Sequence, residues 1–362
     1  MQQTSEPREI LKPESPEMEA LCAALAAGAE PIDRSGDWPT EQLRLCAAYG
    51  VYRWFLEPEK GGLGWAEADL LRGYLRLSAA CLNTAFIITQ ASGALRRIAV
   101  AGTDIPQKVL DDLVSGRTFM TLGISHLTTS HRHLGHCVLR AQETAEGFLL
   151  DGFCPWVTGG LHADFVAVGA ELDDGRQILA LLPMNLPGIS CDPPVQFVAL
   201  TGSHTAAVYL NRVQLDRCWL LAGPEPNVLL GATGAKSGGL QTSALAIGLA
   251  NRAICFTEEQ GEERKNLLEP AGQLRSEYDQ VEVDLLALAS GSSPCTTEQI
   301  RTRSNSLALR STQAAMAAAK GAGYVQGHLV GRLCREALFF LVWSCPQPVM
   351  AANMCELAGI SD

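Results

Sequence analysis

The segment FFLVWSCPQPV, residues 339–349, places two chemically useful residues directly after a run of large apolar side chains. Ser344 and Cys345 carry a hydroxyl and a thiol, which act as nucleophiles only when a neighbouring group activates them. The apolar run 339–343 predicts the end of a buried helix, and the two prolines that follow prevent its continuation. Because a buried helix that ends at small polar residues often ends at a pocket, we expect Ser344 to border one.

A second concentration of chemically useful side chains lies in SHLTTSHRHLGH, residues 125–136. The four histidines of this segment are His126, His131, His133 and His136. Histidines are common metal ligands, but no cysteine or carboxylate lies close to these four in the sequence. The alternative is a polar, partly exposed loop. We therefore predict no metal site.

The composition excludes several classes of protein. Of the 362 residues, 47% are hydrophobic, so a packed core is expected. The net charge of -11 argues against a nucleic-acid partner, and no cluster of basic residues opposes that conclusion. The 12 cysteines lie mostly in apolar segments without close pairs, which favours reduced, buried thiols. We expect no secretory signal, no membrane span and a cytoplasmic location.

The elements that must position these residues fall into three zones. Apolar residues three and four apart predict helices up to about residue 116, and the same pattern returns after residue 231. Between these zones, alternating segments predict strands, with the clearest hairpin turn at residues 173–175, Asp-Asp-Gly. The predicted class is α+β, with an N-terminal helical domain, a middle antiparallel β domain and a C-terminal four-helix bundle.

The predicted domain boundaries follow the changes of pattern. The ranges are a polar tail at 1–18, a helical domain at 19–117, a β-barrel or sandwich domain at 118–222 and a helical bundle at 223–362. No GxGxxG motif and no Walker loop occurs, so the usual nucleotide-binding folds are not expected.

This order of domains, with five motifs in register, resembles the acyl-CoA dehydrogenase family of flavoproteins. The motifs are LRLCAAYGVYRWFLEPEKGGLGW, CLNTAFIITQASGAL, GFLLDGFCPWVTGGLHADFVAVGA, LTGSHTAAVYLNRVQLDRCWLL and GAGY followed by RLCREA. The resemblance covers almost the whole chain. It implies FAD as the cofactor and an oxidoreductase activity on an acyl thioester.

The resemblance also implies the flavin-binding residues. Trp156 and Thr158 match the aromatic wall and the hydrogen-bond donor beside the isoalloxazine ring. The second flavin loop of the family corresponds to GISHLTTSH, where its Glu-Pro and glycines are missing. Ser125 matches the donor threonine of that loop, and Thr128 and Ser130 are its remaining hydroxyls. A solvent loop with incidental hydroxyl groups is the alternative for these three residues.

At the diphosphate end of the flavin, the resemblance implies a cation and close backbone approach. Arg264 matches the arginine that reaches a neighbouring subunit's diphosphate, although the Phe-Gly that follows it in the family is replaced by two leucines. Gly321 and Gly323 match the glycines at the dimer interface, and Ala317 stands where a glutamine is usual. A homodimer or homotetramer is implied.

The expected catalytic base is missing. Dehydrogenation of an acyl thioester removes an α proton, and the family uses a buried glutamate for this step. Counting from Arg335, that position is Ser344, after Trp343 at the family's aromatic position. The alternative position of a minority branch falls at or near Gly238-Gly239, which also lacks a carboxylate.

Three hypotheses remain open. In the first, the chain is a dehydrogenase-like flavoenzyme whose base comes from elsewhere, such as His126 beside the flavin, or Glu356. In the second, it is a monooxygenase of the same fold that uses reduced flavin, oxygen and an external reductase. In the third, it is a non-catalytic relative that binds a ligand or a protein partner. An acyl thioester or another apolar ligand is the expected small molecule, with an electron acceptor or a reductase as the redox partner.

Overall fold

The computed structural model describes residues 9–101, 105–127, 138–230, 239–292 and 295–360. The chain begins with helices, as predicted. These are α1 (Pro16–Ser35), α2 (Thr40–Ala48), α3 (Glu67–Ala80), α4 (Leu82–Val100) and α5 (Gln107–Val114). The side chain of Ser15 caps the first turn of α1, and Gly36 ends that helix in the left-handed conformation with φ 70°. Helix α1 therefore begins inside the segment predicted as a polar tail.

The middle of the chain forms one eight-stranded sheet. Its strands are β1 (Met120–Gly123), β2 (Leu139–Glu143), β3 (Gly147–Val157), β4 (Phe165–Glu171), β5 (Gln177–Pro183), β6 (Ile189–Cys191), β7 (Ala206–Asp216) and β8 (Leu220–Glu225). The order is β6-β7-β3-β2-β4-β5-β8, and β1 pairs with β4. The hairpin predicted at residues 173–175 is confirmed, because β4 and β5 pair antiparallel around it.

The sheet is not wholly antiparallel. Strand β1 runs parallel to β4, with Met120 opposite Phe165, and β2 makes one parallel pair with β4. The expected antiparallel β domain is therefore confirmed for most pairs and is wrong for these two. The reason is that β1 enters from the helices and runs beside β4 in the same direction, whereas a tight hairpin would force it to reverse.

Helices return after the sheet. They are α6 (Leu240–Glu263), α7 (Leu268–Ala289), α8 (Thr297–Ala319), α9 (Leu329–Ala337) and α10 (Gln347–Leu357). A capping box between Thr296 and Gln299 begins α8. The short 3-10 helix Leu338–Leu341 separates α9 from the turn at Trp343-Ser344. The predicted helix end is confirmed in position, because helical structure stops at Leu341. Its predicted burial holds for Phe340, which is fully buried, and is wrong for Val342, which is 76% exposed.

The N-terminal helices and the bundle share one apolar core. Helix α3 lies directly on α6, where a Cβ added to Gly248 would come within 2.4 Å of the backbone oxygen of Leu75. The hydroxyl of Ser78 donates to the backbone oxygen of Leu245 at 2.6 Å across the same contact. This close approach makes the two helical parts a single body. Among the described residues, no helix has both the length and the apolar character needed to cross a membrane.

Candidate functional site

The turn at Ser344, where the resemblance predicts the catalytic base, is held by aromatic side chains. Trp343 stacks on Phe339 with ring centroids 5.0 Å apart, and it meets Phe86 of α4 edge-on at the same centroid distance. Phe86 and Phe339 also contact each other edge-on at 4.9 Å. These three rings join the bundle to the N-terminal helices immediately before Ser344. Trp343 is therefore a packed aromatic residue at the family's aromatic position.

Helix α8 holds the same turn through two buried polar side chains. Arg301 donates from Nη2 to the backbone oxygen of Trp343 at 2.7 Å. One helical turn later, Asn305 donates from Nδ2 to the backbone oxygen of Phe340 at 3.0 Å. Ser344 itself adopts a left-handed backbone with φ 49°, which is uncommon for a residue with a side chain. The turn is thus fixed by side chains from a helix about forty residues earlier.

A cavity of about 1000 Å³ opens beside this turn. Its wall includes Arg301 of α8, Gly239 at the start of α6 and Pro346, two residues beyond Ser344. The wall also includes Trp54 and Trp65, whose rings stack with centroids 4.3 Å apart. The cavity therefore has Gly239 in its wall, one of the two positions at which the base was sought, and reaches Pro346, two residues beyond the other, Ser344. Its size suits a small-molecule ligand.

On the β domain, Trp156 and Thr158 lie at the end of β3. Trp156 is 51% exposed, with the ring of Phe197 at a centroid distance of 6.4 Å. Thr158 is buried, and its hydroxyl is 3.1 Å from that of Thr205, which lies 2.9 Å from the hydroxyl of Ser203. An exposed indole beside an ordered row of hydroxyl groups suits a planar ring with polar edges. These residues therefore fit the flavin that the resemblance implies.

Arg335 of α9 connects the N-terminal helices, the β domain and the C-terminal bundle close to Trp156. Its guanidinium binds both carboxylate oxygens of Asp33 in α1, at 2.9 and 2.5 Å. The same guanidinium donates to the backbone oxygen of Val198, next to Phe197, at 3.0 Å. Hydrogen bonding to Asp33 raises the pKa of Arg335. A residue of the bundle thus connects α1 with the loop that carries the aromatic face of the β domain.

The residues predicted for the diphosphate lie together at one end of the bundle. Arg264 follows α6 and donates from Nη2 to the backbone oxygen of Ala318 at 2.7 Å, just before Gly321 and Gly323. A Cβ added to Gly323 would lie 2.7 Å from the Cβ of Ala319, so packing within the chain requires this glycine. A Cβ added to Gly321 would meet no atom of the described residues within 4 Å. Gly321 is therefore open to a ligand or a partner.

The two candidate replacement bases have different surroundings. His126 is buried in a short 3-10 helix beside β4, and its Nε2 lies 2.6 Å from the backbone oxygen of Gly169. Ser125, half-buried, precedes it in the same short helix. Glu356 lies on α10, where it accepts from the hydroxyl of Ser306 and lies 3.7 Å from Nε of Arg310. Its side chain is 44% exposed, so Glu356 does not have the buried environment expected of the base.

Several predicted residues fall outside the described ranges. These are Thr128, Ser130, His131, His133, His136 and Gly238. Within the described ranges, no group of three histidine, cysteine or acidic residues is placed to hold a metal ion.

Sequence reasoning missed one buried acid. Glu336 is 3% exposed, and its Oε1 lies 3.9 Å from Nε of Arg332, one turn earlier in α9. Burial raises the pKa of Glu336 to about 7, although Arg332 opposes that shift. The spacing of four residues between the two side chains was the available signal, since both share the face of the buried Leu333 and Ala337.

Comparison with known proteins agrees with this architecture. No established protein-family model matches the chain. A probable acyl-CoA dehydrogenase of Bacillus subtilis is 23% identical over 335 residues, which cover 86% of this chain and 88% of that protein.

Solved structures show the same fold. The butyryl-CoA dehydrogenase of Megasphaera elsdenii matches with a TM-score of 0.80 at 17% identity, covering 94% of this chain and 97% of that one. The dibenzothiophene monooxygenase of Paenibacillus sp. A11-2 matches with a TM-score of 0.77 at 15% identity, covering 94% and 95%. The chain is thus similar in sequence to a probable acyl-CoA dehydrogenase and has the α+β fold of the acyl-CoA dehydrogenases.

Proposed function

We propose that the chain is an FAD-dependent oxidoreductase that acts on a CH–CH group of an acyl thioester. The observation that carries this proposal is the cavity lined by Gly239, Arg301 and Pro346, beside the turn at Ser344, on a fold shared with acyl-CoA dehydrogenases. FAD is the cofactor that relatives with this fold imply. Trp156 and Thr158 would hold its ring, with Ser125, Thr128 and Ser130 as further hydroxyl contacts.

The diphosphate contacts support a homo-oligomer. Arg264 and Gly321 lie at the end of the bundle, and in this proposal they approach the diphosphate bound by a neighbouring subunit. The arginine supplies a cation, and the glycine allows the backbone close to the ligand. A homodimer or homotetramer follows.

The chain's own residues orient the substrate and exclude water. When bound, FAD would supply the acceptor for the hydride that leaves the β carbon. The packed rings of Phe86, Phe339 and Trp343 hold the turn beside the cavity. In the cavity wall itself, the stacked rings of Trp54 and Trp65 would exclude water from the reacting carbons. Ser344 stands at the base position, and a neutral hydroxyl does not remove an α proton without an activating neighbour. Wild-type dehydrogenation is therefore expected to be slow unless another group, such as His126, takes the proton.

Restoring a carboxylate at this position tests the proposal. The Ser344→Glu variant should bleach its flavin with pentanoyl-CoA, without oxygen, at least about 100-fold faster than wild type. Ser344→Gln has the same size without the charge and serves as the control. A Ser344→Glu protein that binds flavin and pentanoyl-CoA, yet gains no bleaching, would contradict the dehydrogenase proposal.

The neutral Ser344 also favours a second candidate, a flavin-dependent monooxygenase. Such an enzyme needs a dry flavin pocket and no proton-abstracting glutamate, and the same fold occurs in a monooxygenase. Oxygen consumption with a flavin reductase, without an acyl-CoA requirement, would support this candidate. A colourless protein that does not bind added FAD would exclude both enzymes and leave a non-catalytic ligand- or partner-binding role.

A further inference from the structure

The cavity contains a positive charge without a described negative partner. Arg301 is 1% exposed, and no described carboxylate lies within ion-pair distance of its guanidinium. Nη2 donates to the backbone oxygen of Trp343, whereas Nε and Nη1 are buried and have no hydrogen-bond acceptor among the described residues. Burying a cation this way is costly unless a negative group completes its environment. The described residues therefore do not account for the burial of the charged Arg301 guanidinium.

The nearest titratable neighbour does not supply the negative charge. Cys345 follows the turn beside Arg301, but burial raises the pKa of its thiol above the ordinary value, so the thiol is neutral at pH 7. Loss of solvation lowers the pKa of Arg301 to about 10, which leaves the guanidinium charged at that pH. Glu298, one turn earlier on α8, also lines the cavity but is exposed to solvent.

We propose that the guanidinium of Arg301 binds a carboxylate carried by the acyl group, so that the substrates are thioesters of dicarboxylic acids. This inference rests on the proposed function and names the substrate class of the same site. A planar guanidinium with unused N–H groups matches the two oxygens of a carboxylate. The contact with Trp343 places it beside Ser344, where the acyl group would lie. The stacked rings of Trp54 and Trp65 provide an apolar wall for the methylene groups.

A phosphate of coenzyme A is the other source of a negative charge. The burial of Arg301 argues against it, because a diphosphate carries several charged oxygens that need water or several cations. A single carboxylate at the end of an acyl chain needs only one buried cation. A phosphate contact would strengthen the binding of every acyl-CoA, because all of them carry the coenzyme A phosphates. A carboxylate contact would strengthen only the binding of thioesters of dicarboxylic acids.

Two acyl-CoA probes of equal chain length separate these sources. Glutaryl-CoA and pentanoyl-CoA each have a five-carbon acyl chain, and only glutaryl-CoA ends in a carboxylate. Calorimetry on the purified full-length protein should give a Kd for glutaryl-CoA at least about tenfold lower than for pentanoyl-CoA. The Arg301→Met variant should lose this preference, and Arg301→Lys should retain part of it.

A matched variant controls for damage to the helix. Arg303, two residues later on α8, already has a carboxylate partner, with Nη1 2.6 Å from Oδ2 of Asp284. Arg303→Met should therefore leave the ratio of the two Kd values unchanged. The measured quantity is the ratio of the two Kd values. If Arg301→Met only loosened the turn, the protein would bind both probes more weakly and this ratio would not change.

Each outcome decides the inference. Equal Kd values of the wild type for the two probes would overturn it while leaving the proposed function intact. If Arg301→Met bound both probes more weakly by the same factor, the inference would be overturned. Arg301 would then contact a phosphate of coenzyme A or have a purely structural role. Failure of the wild type to bind either acyl-CoA would instead reject the acyl-thioester function, and the inference with it.

Discussion

Asp33 of α1 and Arg335 of α9 form a two-pronged ion pair, with Oδ1–Nη1 at 2.9 Å and Oδ2–Nη2 at 2.5 Å. The carboxylate side chain is only 11% exposed, and the two residues are 302 positions apart in the chain. Through the backbone oxygen of Val198, the same arginine also fixes the loop beside Trp156. The pair therefore links stability to the geometry of the predicted flavin face.

The first prediction concerns this pair. Asp33→Asn removes the charge, and we expect a loss of about 1–2 kcal/mol in the free energy of unfolding, because charge-assisted hydrogen bonds are lost at a partly buried site. FAD should dissociate more readily from the variant. Denaturant unfolding and flavin titration measure the two effects. Asp69→Asn breaks an exposed pair with Arg72 and should cost less than about 0.5 kcal/mol; an equal loss in both variants would refute the special role of Asp33.

The second prediction separates two glycines in one short segment. Gly323→Ala should destabilise the chain by about 1–3 kcal/mol, because its new Cβ would overlap Ala319 and lie 2.9 Å from Sδ of Met316. Gly321→Ala should preserve thermal stability, since no atom in the described part of the chain lies within 4 Å of its new Cβ. If the backbone there approaches a diphosphate, Gly321→Ala should nonetheless lower FAD affinity. Unchanged FAD affinity in Gly321→Ala would count against the diphosphate site.

The third prediction is a pH dependence that arises from Glu336. Its pKa is about 7 in the folded chain against 4.5 for the free side chain, so the folded state holds the proton more tightly. The protonated carboxyl of Glu336 therefore makes its full contribution to the free energy of unfolding below pH 4.5. This contribution is lost as the pH rises toward 7. The shift corresponds to at most about 3 kcal/mol.

The Glu336→Gln variant provides the comparison, because glutamine has a similar shape and does not titrate in this range. The free energy of unfolding of wild type, relative to the variant, should fall between about pH 4.5 and 7. Urea unfolding of both proteins at several pH values measures this difference. Parallel stability curves would show that the carboxyl of Glu336 does not have the raised pKa.

The fourth prediction compares two buried threonines. Thr158→Val breaks the hydrogen bond to Thr205 and removes the hydroxyl expected beside the flavin, so FAD affinity should fall at least about fivefold. Thr121 on β1 is fully buried, and its hydroxyl has no hydrogen-bond partner among the described residues. Thr121→Val should therefore be neutral or slightly stabilising and should keep the flavin. Equal FAD affinity in both variants would remove Thr158 from the proposed site.

The order of helices, sheet and helices was predictable because hydrophobic periodicity reports which face of each element is buried. The burial of Arg301 and Asn305 could not be predicted from the sequence. Both are polar residues in a helix, and their acceptors are the backbone oxygens of Trp343 and Phe340, far along the chain. Only the folded chain brings these acceptors to α8. The position of Ser344 came from counting along a family motif, whereas its left-handed backbone depends on the tight turn around it.

The path of β1 limits how this chain can be divided. The strand follows the N-terminal helices, yet it pairs with β4 inside the eight-stranded sheet. Leu122 of β1 packs on α4 so closely that a Cβ on Gly93 would lie 2.6 Å from its side chain. A protein fragment that starts at the predicted boundary near residue 118 would keep the strand but lose its helical cover. The β domain is therefore a poor unit for separate expression or transplantation, and an insertion tag placed before β1 would disturb both of its neighbours.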